Sequence, residues 1–220
     1  MHSAKLVAQT VPTLPSLDPE QFIAYVARVS NPQNQESHET APRLLRFLIK
    51  HKHWSPFEMA HVVMEITTTR DIARQMLRHR SFSFQEFSQR YADPTDLGFA
   101  FRAARLQDNR NRQNSIDTDD PHLAAWWNQA QNKIADAVGE VYAEAIGRGI
   151  AKEQARAVLP EGMTVSKLYM AGSVRSWLHY CELRMGHGTQ REHQQVARSA
   201  WDELIDAFPV LADCLENPRD

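Results

Sequence analysis

Two cysteines, Cys181 and Cys214, are all that the 220-residue chain contains. They form no Cys-x-x-Cys pair and show no metal-ligand spacing, so a disulfide framework or a zinc knuckle is not expected and a reducing cytoplasm fits best. No stretch approaches the ~18 apolar residues of a membrane span. The start, Met1-His-Ser-Ala-Lys-Leu-Val, has neither a basic n-region nor a long apolar h-region. Nor is there an excess of charge of one sign: the formal net charge is −2, which gives no overall field for nucleic acid or an anionic membrane. Gly-x-Gly-x-x-Gly turns, Gly-x-Ser-x-Gly elbows, internal repeats and low-complexity tracts are also missing. What remains is an ordinary globular composition, 42% hydrophobic and 24% charged, long enough to bury a real core. One bias stands out within it: 19 of the 25 basic residues are Arg. That skew favours bidentate anion recognition, although a GC-rich coding sequence would produce it as well.

Periodicity predicts a helix-rich mixed α/β domain spanning 1–220. Residues 1–17, proline-bearing toward their end, read as an extended lead-in. Helical spacing starts at Asp18, a plausible N-cap, and again after Pro42. Ser55-Pro56-Phe57-Glu58 is a turn or helix start. Val62 to Thr69 is a β-branched strand, and Asp71 opens a short helix. Residues 102–121 are polar and read as an exposed excursion. A long helix follows from about Pro121 to Gly147, with Trp126, Ile134, Val138, Val141, Tyr142 and Ala145 on one side. The Trp126–Trp127 pair suits a core or a subunit interface. A short helix over 152–159, a strand over 163–170 and helices over 173–185 and 190–208 complete the chain.

The most informative segment is 78–91, Arg-His-Arg-Ser-Phe-Ser-Phe-Gln-Glu-Phe-Ser-Gln-Arg-Tyr. It gathers Arg78, His79, Arg80 and Arg90 around Ser83, Gln85, Glu86 and Ser88, with aromatic residues between. Guanidinium forks, hydroxyls and one carboxylate suit a phosphorylated, planar, hydrogen-bonding ligand. Gln75, Arg78 and His79 fall at i, i+3, i+4 and share one helical face. In an extended segment Glu86, Ser88 and Arg90 would face the same way.

Arg-His-Arg, seven residues, then Ser88, with Glu86 and Arg90-Tyr91 in place, resembles the signature of the flavin-dependent thymidylate synthases. Ala27-Arg28-Val29-Ser30, Ser55-Pro56-Phe57-Glu58, Ala155-Arg156-Ala157-Val158-Leu159-Pro160 and Arg175-Ser176 with Leu183-Arg184 are similar to that family in order and rough spacing. The resemblance implies a small central antiparallel sheet without a Rossmann fold. It also implies reductive methylation of dUMP to dTMP, with 5,10-methylenetetrahydrofolate as carbon donor, and FAD reduced by NADPH as hydride source. The assembly it implies is a homotetramer with sites shared between subunits, and it calls for no metal, nucleic acid or membrane. Nucleotide contacts would fall on Gln75, Arg78, Glu86, Ser88, Gln89, Arg90, Arg156 and Arg184. Flavin contacts would fall on Ser55, Arg78, His79, Arg80, Glu86, Ser173, Arg175 and His179, with His53 near the folate and flavin. Arg184 would polarise the uracil and favour ionisation at N3, so that no enzyme nucleophile is required.

This chain departs from the family at Ser173 and His179, where Asn is common, and places Gly188 rather than His187 at a usual histidine position. Cys181, inside an apolar helix with no activating base, reads as packing. Ser88 reads as a ligand-positioning hydroxyl rather than a nucleophile. His51 and His61 suit structural or solvated roles. Two other classes compete: a single-strand nucleic-acid module using Arg and Phe, and a hydrolase built from Ser88, His79 and Glu86. The first needs a continuous basic surface, which the acidic run Asp117–Asp120 opposes.

Overall fold

The computed structural model describes residues 1–215. Along the chain run β1 (Ser3–Gln9), α1 (Pro19–Ala27), α2 (Ala41–Lys50), β2 (His61–Thr69), α3 (Arg70–Met76), β3 (Ser83–Glu86), β4 (Arg105–Gln107), β5 (Ser115–Asp117), α4 (Pro121–Gly147), α5 (Lys152–Ala155), β6 (Val165–Ser173), α6 (Val174–Met185) and α7 (Arg191–Ala207). Four strands form one antiparallel sheet in the order β1-β2-β6-β3, and β4 and β5 form a separate hairpin.

Alternation in β2 decides which face is covered. Val62, Met64 and Ile66 are buried while the residues between them are not. The register sets Met64 opposite Met170 and Ile66 opposite Leu168, so both strands turn the same face to the core. Helices α6 and α7 cover that face with Trp177, Tyr180, Cys181, Val196, Ala197, Ala200 and Leu204. The indole of Trp177 donates to the Val62 carbonyl at 3.1 Å, which satisfies its one polar atom inside the core. Helices α1 and α2 pair with each other; α1 also packs on the Ser55–Glu58 turn, which in turn meets α6.

Helix starts follow their caps. Asp18 and Gln21 form a reciprocal capping box at α1, Asp120 accepts from the His122 and Leu123 amides at α4, and Ser173 accepts from the Ser176 amide at α6. Strand β6 runs to Ser173, three residues beyond the predicted strand, and hands the chain directly to that cap.

Two expectations gain detail and one changes. The lead-in is structured: Ser3–Gln9 is an edge strand paired with β2, and the prolines begin only after it ends. The segment 102–121 is mostly exposed, as expected, with none of its residues buried, but it contains the β4–β5 hairpin and is tied to the body by ion pairs. Half-buried Arg105 donates to the Glu192 carboxylate at 2.5 Å, Arg102 grips Asp71 at 2.7 Å, and Arg191 pairs with Asp117. The extended run does not reach Arg90; β3 stops at Glu86, and a turn in which the Tyr91 and Ala92 amides donate to the Ser88 carbonyl replaces it. Glu86, Ser88 and Arg90 therefore do not share a strand face.

Candidate functional site

The Arg-His-Arg turn leaves the end of α3 and enters β3, the outer strand beside β6. Its hinge is the packing of Phe82 on Gly172. A Cβ at Gly172 would lie 2.5 Å from the Phe82 ring, so only glycine lets the ring approach β6 this closely. Phe82 also meets Trp177 edge-on at 4.9 Å and Tyr180 at 6.0 Å.

Around this hinge the structure joins Gln75, His79 and Arg184, which lie on α3, the turn and α6. The Arg184 Nε donates to His79 Nε2 at 2.9 Å, across 105 positions of sequence. Burial, reinforced by the neighbouring guanidinium, pushes the His79 ring down to about 4, so it is neutral and can accept that bond. Both Nη groups of Arg184 lack a hydrogen-bond partner among the described residues. Gln75 reaches Gln190 at 2.9 Å and His193 at 3.1 Å.

A second group sits at the turn after β3. Arg90 pairs with Glu153 at 3.3 Å, and Arg156 Nε donates to the Glu153 carbonyl at 3.3 Å. Glu86 accepts from Ser166 at 2.9 Å and from Arg70 at 3.4 Å. Ser88 and Arg78 are exposed. Gln89 is buried, and its Nε2 has no partner among the described residues. An unpaired amide donor at 5% exposure is costly unless a ligand completes it. Among the described residues no hydrogen bond links Arg90 or Arg156 to Gln75, His79 or Arg184.

The third group lines a cleft with two arms that share Glu58, Ser81 and Ser176. One arm encloses about 460 Å³ and is bordered by Arg175, His179 and Trp54. The other, about 440 Å³, is bordered by Arg80, His61 and Ser173. Glu58 organises the junction: it accepts from Ser173 Oγ at 2.5 Å and from Arg175 at 2.6 Å. The Ser173 bond, with Arg175 adding, holds its carboxyl below the usual range. Ser173 is itself buried and committed as the α6 cap, so it borders the cleft chiefly through Glu58. His53 and Ser55 are exposed and outside the lining, whereas Trp54 between them is within it. His53 lies instead in an exposed ring cluster, edge-on to Phe47 at 6.3 Å and tilted against His51 at 6.2 Å.

Sequence reasoning did not assign Glu58, Glu153, Tyr180 or His193 to the site. A signal for His193 existed: it falls in line with Val196, Ala197, Ala200 and Leu204 at helical spacing, on the face of α7 that must be buried.

A guanidinium-edged cleft on a helix-covered antiparallel sheet, with no glycine-rich dinucleotide turn, places the protein among the mixed α/β folds that are not Rossmann-like. Residues 6–210 match the family described as thymidylate synthase complementing protein. The chain is 47% identical over 215 residues to a probable flavin-dependent thymidylate synthase of Paramecium bursaria Chlorella virus 1, covering 97% of this chain and 99% of that one. It is 50% identical over 200 residues to the flavin-dependent thymidylate synthase of a Synechocystis species, covering 91% of each. A UMP/dUMP methylase, PolB, from Streptomyces cacaoi, crystallised with 5-Br UMP, shares the fold: TM-score 0.77 at 24% identity, over 96% of this chain and 92% of that one. The chain belongs to the flavin-dependent thymidylate synthases, a family of methyltransferase enzymes.

Proposed function

We propose that the protein converts dUMP to dTMP, taking a one-carbon unit from 5,10-methylenetetrahydrofolate and two electrons from NADPH by way of bound FAD. The balance is dUMP, methylenetetrahydrofolate, NADPH and a proton in; dTMP, tetrahydrofolate and NADP⁺ out. The observation that carries this reading is the Arg184 guanidinium, held through Nε by neutral His79 of the Arg-His-Arg turn, with both Nη groups open among the described residues. A uracil whose N3 and neighbouring carbonyl meet that group loses its N3 proton more easily, and the resulting anion has a more nucleophilic C5. Cys181 supports the same reading. It is fully buried, and burial, with the Asp202 carboxylate adding, pushes its thiol far up, so it packs rather than attacks.

The two-armed cleft fits a flavin. Arg80 and Arg175 are donors for a pyrophosphate that no glycine-rich turn could cradle, and Trp54 and Leu178 give an apolar wall. Bound FAD would supply the redox chemistry; the chain's part is to hold it beside the nucleotide and exclude water. Arg78, His79, Glu86, Ser55 and His179 complete the proposed flavin set. Gln75, Arg78, Glu86, Ser88, Gln89, Arg90 and Arg156 are the proposed nucleotide set, and His53 lies toward the folate.

The reading includes a homotetramer in which copies complete each other's sites. Helix α4 supports it: Trp126, Ile134 and Val141 on one flank are 60%, 47% and 49% exposed. The nucleic-acid alternative loses ground because surface arginines are interleaved with acids, as in Arg74–Glu161, Arg46–Asp213 and Arg148–Glu144.

The absorbance spectrum of purified protein tests the reading. Flavin bands that NADPH bleaches, together with dTMP formed from dUMP and methylenetetrahydrofolate, are expected. A colourless protein that refuses added FAD would sink it.

A further inference from the structure

We propose that His193 is a positioning residue that locks the Gln75 side-chain amide in one orientation toward the nucleotide, through a hydrogen-bond chain of fixed polarity from Tyr180 to Glu192. The proposal rests on the assignment of Gln75 to the nucleotide made above.

The polarity follows from the one end that can only accept. The Glu192 carboxylate receives Arg105 Nη2 at 2.5 Å on one oxygen and Gln190 Nε2 at 3.0 Å on the other. Burial alone would raise this carboxyl, but its own backbone amide, Gln190 and Arg105 outweigh burial and hold it below the usual range, so it stays ionised. With its NH₂ turned to Glu192, Gln190 presents Oε1 to Gln75, and Gln75 Nε2 donates to it at 2.9 Å. The Gln75 Oε1 then faces His193 Nδ1 at 3.1 Å and can only accept. The proton of the ring must therefore sit on Nδ1. That leaves Nε2 as an acceptor, and the Tyr180 hydroxyl meets it at 3.1 Å. Burial raises the Tyr180 phenol well above its usual range, so it keeps the proton it donates. Burial also pushes the His193 ring down to about 3, with Arg184 and His79 adding, so the ring is neutral.

Each donor and acceptor in the chain is used in the only direction available. Reversing the Gln75 amide would set its oxygen against that of Gln190 and its NH₂ against the Nδ1 proton. Turning Gln190 as well would press an amide oxygen on the Glu192 carboxylate. The chain has no second arrangement. His193 is fully buried on the apolar face of α7 beside Val196 and Ala197. A leucine would fill that place without needing partners, so the imidazole is there for its two nitrogens. The result is a Gln75 with one Nε2 hydrogen and one Oε1 lone pair left at defined positions for the ligand.

Two variants of the holoenzyme separate the two nitrogens. An asparagine at 193 puts its NH₂ near the Nδ1 position and keeps the donation to Gln75. A glutamine reaches the Nε2 position and keeps only the Tyr180 contact. His193→Gln is expected to raise the KM for dUMP about tenfold, one well-placed hydrogen bond, with kcat within about threefold and FAD retained. His193→Asn should stay within about threefold of the parent on both counts. ¹⁵N NMR of the unsubstituted enzyme should show His193 neutral with the proton on Nδ1. Equal KM values for the two variants, or a proton found on Nε2, would overturn the proposal. If instead Gln75→Ala leaves the KM for dUMP unchanged while the tautomer is as stated, the nucleotide assignment of Gln75 is what fails, and the positioning role falls with it.

Discussion

In the proposed site Arg184 and His79 divide the work: one carries charge, and the other stays neutral and accepts from its Nε. Arg184→Ala should retain FAD, read as an unchanged flavin spectrum, and lose about a hundredfold or more in kcat for dTMP formation. Cys181→Ala should remain active, losing on the order of 1–2 kcal/mol of stability to the small cavity it leaves in the core. An inactive but folded Cys181→Ala protein would contradict the absence of a cysteine nucleophile. Gly172→Ala forces a methyl into the Phe82 ring; a loss of about 1–3 kcal/mol, measured as a lower melting midpoint, should come with weaker flavin retention. The two neutral histidines also set a pH response. Unfolded, both rings titrate near 6.5; folded, they do so near 4 and 3. As pH falls below about 6.5 the unfolded chain takes up protons that the folded chain refuses, so stability should decline toward pH 4. A melting series across that range, shallower in His193→Asn than in the parent, is the expected outcome.

At the scale of elements, the helices were legible because caps and the 3.6-residue period agree, as at Asp18, Pro121 and Ser173. Ser173→Ala removes such a cap and one bond to Glu58; about 1 kcal/mol should be lost by denaturant titration, with a weaker FAD affinity. Strand β2 was equally readable from its β-branched run. Strand β1 was not, because its short run gives no sign that an edge of β2 sixty residues later awaits it. The 102–121 segment is as exposed as its composition suggests, but its anchoring was not legible for a similar reason. Its arginines look like surface charge until a helix beginning at Arg191 brings Glu192 and Arg191 within reach. The candidate site is proposed from 78–91 because arginine, glutamine and serine carry donors and acceptors that are visible locally; the structure brings Arg80 to the cleft and His79 to Arg184. His193 and Glu58 were harder, since each matters through a partner far along the chain.

For the whole molecule the long helix α4 is decisive. Its apolar stripe is wider than the surface this chain covers: Ala135 and Tyr142 are buried on one flank, while Trp126, Ile134 and Val141 stay open on the other. The sequence places all the apolar positions on one side but cannot tell an internal neighbour from a second copy. Ile134→Asp combined with Val141→Asp should reduce the mass measured by light scattering and abolish dTMP formation, while circular dichroism stays helical. A monomer with full activity would remove the shared-site part of the proposed function.

The chain of bonds from Tyr180 to Glu192 bears also on how this enzyme can change over generations. Because each link fixes the direction of the next, a single substitution at 75, 190, 192 or 193 is absorbed only where it keeps the donor or acceptor its neighbour needs, as His193→Asn does and His193→Gln does not. Replacements at these positions are expected to preserve that polarity, even where the surrounding apolar residues drift freely.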